Sequence, residues 1–151
     1  MANYKRVFLD GYSYFITVVT YERRPILIGN IDFLRESFRQ TKKYYHFDIN
    51  EIIIMPDHFH MIITPSNATD YPKIIKCIKY GFTKLYQCDA GISQSLSRKK
   101  DGMQPVWQKR YYEHTIRDQK DFDDKVNYMK NNPVKHLLVD IWSDWQYSSF
   151  V

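Results

Sequence analysis

Cysteine is nearly missing from this 151-residue chain: there are only Cys77 and Cys88, and they do not form a close metal-binding pair. Both are expected as free thiols in a reducing compartment. Also missing is any run near the ~18 apolar residues of a membrane span. The opening MANYKRVFLDGY lacks the apolar core of a signal peptide, so the expected location is cytoplasmic. No internal repeat and no linker-like stretch divides the chain, which predicts one compact domain over residues 1–151.

Acid is in deficit as well. Against 17 acidic residues stand 22 basic ones, a net charge of +5, and the basic residues cluster at Arg23-Arg24, Lys42-Lys43, Arg98-Lys99-Lys100 and Lys109-Arg110. This balance favours a polyanionic partner, although a basic surface also serves plain solubility. What the chain has in quantity is aromatic rings: 17% of residues, 13 of them tyrosine, more than packing alone usually needs.

Read for periodicity, the segment 12–21, YSYFITVVTY, is a strand, and 31–45 carries Phe33, Leu34 and Phe38 at helical spacing. FDINEIIIM (47–55) and HFHMIIT (58–64) are two strands joined by a turn at Pro56-Asp57. Ile74, Ile75, Ile78, Phe82 and Leu85 mark a second helix with lysines on its other side, and the polar segment 92–105 reads as a mobile loop. A fourth strand is predicted over 106–117 and a last helix over 118–132, stopped by Pro133. The order fits an α+β, ferredoxin-like four-stranded antiparallel sheet with helices on one face, followed by a C-terminal helix.

Two histidines interrupt the apolar ridge EIIIMPDHFHMIIT. In a strand His58 and His60 leave the same face about 7 Å apart, while Phe59 and Met61 leave the other. That spacing suits two ligands of one metal ion; the alternative is a pair facing solvent on an open sheet face. On the last helix Phe122, Val126 and Met129 form the apolar stripe. Tyr128 lies roughly 125° from its centre. Its neighbours there are Asp124 and Asn132, and the Asn132 carbonyl oxygen is a candidate third ligand. This donor set leaves magnesium, manganese and zinc open.

MPDHFHMII resembles the His-hydrophobic-His (HUH) motif of single-strand DNA endonucleases. VWQKRYYEHTIRDQKDFDDKVNYMKNNPVKHLLV is similar to the C-terminal half of the single-tyrosine transposases. YFITVVTYERRPIL and WSDWQYSSF fit their REP-associated subgroup, and the resemblance runs from Tyr12 to Phe150. It implies Tyr128 as nucleophile, His58, His60 and Asn132 as metal ligands, and Mg2+ or Mn2+ as the cation. It also implies single-stranded or hairpin DNA as substrate, cleaved and rejoined through a 5′-phosphotyrosine. A monomer is expected, with a homodimer as the alternative, and no second DNA-binding domain is implied. One departure is Leu137, where many relatives carry glycine.

Arg23, Arg24, Lys99, Lys109, Arg110 and Tyr112 are the candidate DNA contacts, with Trp107 and Tyr111 as further stacking platforms. His114 and His136 are left without a role. Two competing readings are a non-catalytic ferredoxin-like nucleic-acid-binding module and a zinc hydrolase using His58, His60 and His114 with an activated water.

Overall fold

A computed structural model of the chain describes residues 11–89 and 105–150. The expected loop at 92–105, with Lys99, therefore lies outside the described residues except at its last position. The strands are β1 (Tyr14–Val19), β2 (Phe47–Ile54), β3 (His58–Pro65) and β4 (Tyr112–Thr115). The helices are α1 (Ile31–Tyr44), α2 (Tyr71–Asp89) and α3 (Gln119–Lys135). The sheet order β2-β3-β1-β4, antiparallel throughout, is the ferredoxin-like arrangement the element order predicts.

Alternation along the two central strands creates two cores. Tyr14, Ile16 and Val18 of β1 join Phe59, Met61 and Ile63 of β3 beneath α1 and α2. The intervening Phe15 and Ile62 join Ile53, Met55 and Ile116 beneath α3, which contributes the fully buried Met129 with Phe122 and Val126 beside it. The apolar stripe read from the α3 sequence is thus the face that packs. On the opposite layer α1 turns the small side chains Ser37 and Thr41 toward α2. A Cβ at Gly81 would stand 3.0 Å from Ser37 Cβ, so glycine at that position sets how closely the two helices approach.

The C-terminal helix α3 folds back across the second face of the sheet, burying its apolar stripe on Phe15 and Ile62. Two expectations change. The fourth strand is shorter than 106–117: Trp107 makes only an isolated bridge to Thr20, while its ring packs against Phe59 and Phe82 and its Nε1 donates to the Lys79 carbonyl. Burying the indole takes that segment out of the ladder, so Trp107 is a core residue and no stacking platform for bases.

The last helix also runs through Pro133 to Lys135. Proline removes one donor, but its carbonyl still accepts. The end is a Schellman motif: Leu137 N donates to Val134 O and Leu138 N to Pro133 O. That motif places Leu137 at φ 60, in the left-handed region, which supplies the physical reason glycine suits this position.

Beyond the helix the chain returns along the free edge of β2. Ile54 N donates to Tyr147 O, Ser149 N to Ile52 O, and the Trp145 indole N–H to Ile54 O. Trp142 and Phe150 sandwich Lys130 of α3, its Nζ 4.7 and 5.3 Å from the two ring centroids. The terminal segment thereby covers an exposed edge and clamps α3.

Candidate active site

His58 and His60 leave β3 toward α3, where they are 4% and 3% exposed with ring centroids 4.8 Å apart. The reading of a pair facing solvent on an open face therefore fails. Each imidazole is gripped at Nδ1: His58 by Asp57 Oδ1 at 2.6 Å, His60 by Thr17 Oγ1 at 2.7 Å. Thr17 is the β1 residue directly opposite His60 in the ladder, and Asp57 belongs to the β2–β3 turn. Phe15 stacks on the His60 ring at 5.4 Å.

Burial, reinforced by the neighbouring His58, His136 and Arg23, pushes His60 down to about 3, so this imidazole is neutral at ordinary pH. Burial raises the Asp57 carboxyl, but hydrogen bonds from His58 and Arg23 outweigh it and hold the group below its ordinary value. Asp57 is therefore an anion and can only accept.

Two features of this pair suit a cation. His60 Nε2 is buried and has no hydrogen-bond partner among the described residues. His58 Nε2 lies 3.2 Å from Asn132 Oδ1. With Nδ1–H committed to Asp57, a neutral His58 turns a lone pair at Nε2 toward a carbonyl oxygen, and a cation between two such acceptors would satisfy both. Among the described residues no group of three His, Cys, Asp or Glu side chains forms a metal cluster, and the oxygen that stands beside the histidine pair is that of the Asn132 amide. Imidazole, imidazole and amide oxygen make a donor set that a divalent cation accepts with positions left open.

The helix brings the remaining groups. Asn132 is 1% exposed, whereas Tyr128, one turn earlier, is 46% exposed. The Tyr128 ring stands 5.3 Å from that of His60 and 6.2 Å from that of Phe15, with Lys135 Nζ 5.7 Å from its own centroid. Tyr128 and Lys135 line a cleft of ≈ 650 Å³ together with Arg23, Lys125, His136 and the acidic Asp124, and the charges of Arg23, Lys125 and Lys135 make it attractive to phosphate.

Of the residues singled out from sequence, His58, His60, Tyr128, Arg23 and Tyr112 line this cleft, Tyr112 being 55% exposed at its rim, while the buried Asn132 lies behind it against His58. Arg23 sits in a turn where both it and Glu22 take left-handed φ values, 52 and 54, a strained backbone that aims its guanidinium at Asp57 Oδ2, 3.0 Å away. Arg24 turns elsewhere, donating to the carbonyls of Tyr21 and Pro105. Lys109 and Arg110 are exposed but do not line the cleft.

His114 is not brought to the histidine pair. Its Nε2 contacts both oxygens of the buried Asp121, which removes it as a third zinc ligand. His136, unassigned from sequence, stands 5.7 Å from His58. Thr17, Asp57, Lys125 and Lys135 escaped sequence reading. Thr17 shares the strand face of Phe15, and Lys135 lies seven residues after Tyr128 on one helical face, but only the folded register says what they meet.

Comparison with known proteins places this geometry in a family context. Residues 9–132 match the family model for IS200-like transposases. A REP-associated tyrosine transposase of Escherichia coli K12 is 34% identical over 152 aligned residues, covering 99% of this chain and 83% of the relative. A Haemophilus influenzae protein assigned to the same group is 38% identical, with coverages of 99% and 86%. A solved structure of a REP-associated tyrosine transposase bound to a REP hairpin superposes with a TM-score of 0.81 at 32% identity, covering 99% of this chain and 83% of that one.

Proposed function

The chain belongs to the IS200-like transposase family, as a REP-associated tyrosine transposase, and we propose that Tyr128 is the nucleophile with which it cuts and rejoins hairpin-associated single-stranded DNA. The observation that carries this reading is the convergence of Tyr128, His58 and His60 on one basic cleft, with Asn132 against His58 behind it, from two elements about seventy residues apart in sequence. HUH-type transposases use a divalent metal. In this reading His58 Nε2, His60 Nε2 and Asn132 Oδ1 hold it, as Mg2+ or Mn2+.

The Tyr128 oxygen attacks the scissile phosphorus as the phenol proton leaves for solvent. The P–O3′ bond breaks, the departing oxygen becomes a 3′-hydroxyl by taking up a proton, and the 5′ end stays on the protein as a phosphotyrosine. Attack on that phosphotyrosine by a 3′-hydroxyl of another strand reverses the step, returns the phenol and needs no ATP. A cation held by these residues would neutralise phosphate charge and favour in-line displacement. The rest falls to the protein: α3 orients the ring over His60, Phe15 supports both rings, and Arg23, Lys125 and Lys135 draw the phosphate backbone into the cleft. Tyr112 at the rim is placed to stack on an unpaired base.

The hairpin held by the solved relative supports the substrate class. The Tyr128 ring stands 5.3 Å from that of His60 in the same chain, which supports a tyrosine acting in its own subunit. The test is Tyr128→Phe on a labelled single-stranded hairpin with Mg2+ or Mn2+. The wild type is expected to form a covalent protein–DNA adduct resistant to denaturing electrophoresis. The variant is expected to lose at least ~10³-fold in cleavage while binding DNA within about twofold, since only the attacking oxygen is gone. Undiminished cleavage by the variant would overturn the assignment.

A further inference from the structure

We propose that Asp57 and Thr17 are positioning residues that hold the two imidazoles with both Nε2 lone pairs turned into the cleft, so that the cation site exists before any cation arrives. This inference rests on the cation reading above and adds the residues that create its donor geometry.

An imidazole ligates through a nitrogen without a proton, so one of its two tautomers is useless at a given ring orientation. At His58 the choice is forced. Both Asp57 oxygens are engaged: Oδ1 faces His58 Nδ1 at 2.6 Å and Oδ2 accepts from Arg23 Nη1 at 3.0 Å. A carboxylate has no proton to give, so His58 Nδ1 carries the hydrogen, and in the neutral ring Nε2 is bare. Asp57 is itself held in place through its main chain, its carbonyl accepting from both Thr20 N and Thr20 Oγ1 at 2.9 and 3.0 Å. The strained turn at Glu22 and Arg23 makes sense in this light, because it brings a guanidinium to the outer carboxylate oxygen and keeps Asp57 from swinging into the cleft.

At His60 a hydroxyl does the same work with less force. Thr17 Oγ1 can accept from Nδ1–H or donate to a bare Nδ1. If it donated, His60 would bury an N–H at Nε2 with no partner among the described residues, which is costly and closes the nitrogen to a cation. If it accepts, Nε2 is a lone pair beside that of His58. The two partners come from different elements, Thr17 from β1 and Asp57 from the turn before β3, so the fold fixes each ring separately.

The experiment uses the whole protein labelled with 15N at histidine, metal-free at about pH 8, above the ordinary histidine range. Long-range 1H–15N spectra are expected to show Nδ1 protonated and Nε2 bare at both His58 and His60. Calorimetric titration with Mn2+ alone is expected to give ~10–100-fold weaker binding for Asp57→Asn and Thr17→Val, with mixed tautomers at the affected ring. Thr17→Ser, which keeps the hydroxyl, is expected to restore both readouts. Circular dichroism melting checks that each variant is folded, and should Asp57→Asn not fold, Thr17→Val still decides the question at His60. A protonated Nε2 at either ring, or variants with wild-type tautomers and affinity, overturns the positioning role while the cation site stands. Wild-type protein that takes up no Mn2+, or that binds it equally well as His60→Ala, overturns the cation reading itself and this inference with it.

Discussion

The two faces of the sheet are made from the same strands and do different work. Beneath α1 and α2 the face is dry: Tyr14, Ile16, Val18, Phe59, Met61 and Ile63 interlock with Ile74, Ile78 and Phe82. Beneath α3 the alternate residues of those strands include Thr17, His58 and His60, and one helix covers what two cover opposite. The incomplete cover leaves the cleft. A strand can thus give alternate positions to stability and to chemistry without either disturbing the other, because successive side chains point to opposite sides.

The sharpest way to break the comparison is to truncate neighbours on β3. Phe59→Ala is expected to cost about 3–5 kcal/mol of stability, measured by denaturant unfolding. His60→Ala, one residue on, is expected to cost less than half of that yet lower metal-dependent cleavage by ~10²-fold or more, since the proposed function makes this ring, whose Nε2 is buried without a partner among the described residues, a ligand of the cation. Equal stability losses at the two positions would show that the faces are not separable.

A smaller effect is expected in acid. Burial raises the Asp121 carboxyl, but hydrogen bonds from the Arg117 backbone and from His114 outweigh it and lower the group from 3.8 to about 2. Its folded-state value lies below the unfolded one, so its stabilisation is complete above pH 3.8 and is lost as pH falls toward about 2. Asp121 ties β4 to the start of α3, where Asp118 caps the helix by accepting from Asp121 N. Amide exchange in that acid window is therefore expected to rise in α3 before α1 and α2, and Asp121→Asn is expected to flatten the pH dependence. Uniform exchange across both layers would count against this account.

The smallest effect is a gain. Leu137 is 91% exposed and holds a left-handed conformation that glycine adopts without strain. Leu137→Gly is expected to raise stability by roughly 1 kcal/mol, read from thermal melting, by relieving the C-terminal end of α3. No change in melting would mean that the Schellman turn carries no penalty there.

Much of this was legible before folding. Alternation put His58 and His60 on one face, and helical spacing separated Tyr128 from the stripe of Phe122, Val126 and Met129. Trp107 misled, because a strand-forming aromatic reads the same whether it lies in a ladder or under a helix. Pro133 misled because a missing donor near a helix end costs little when its carbonyl is used by the turn beyond.

By itself, then, the sequence determined the order of elements, the two faces of each strand and the chemical types gathered on one of them, since periodicities of 2 and 3.6 are local properties of the backbone. Tertiary structure alone decided that α3 crosses the histidine face, that Asn132 reaches His58 while Tyr128 stays half open, and that Thr17 and Asp57 grip the two rings. Those contacts depend on strand register and on where a helix lands, quantities set by the packing of residues far apart in the chain.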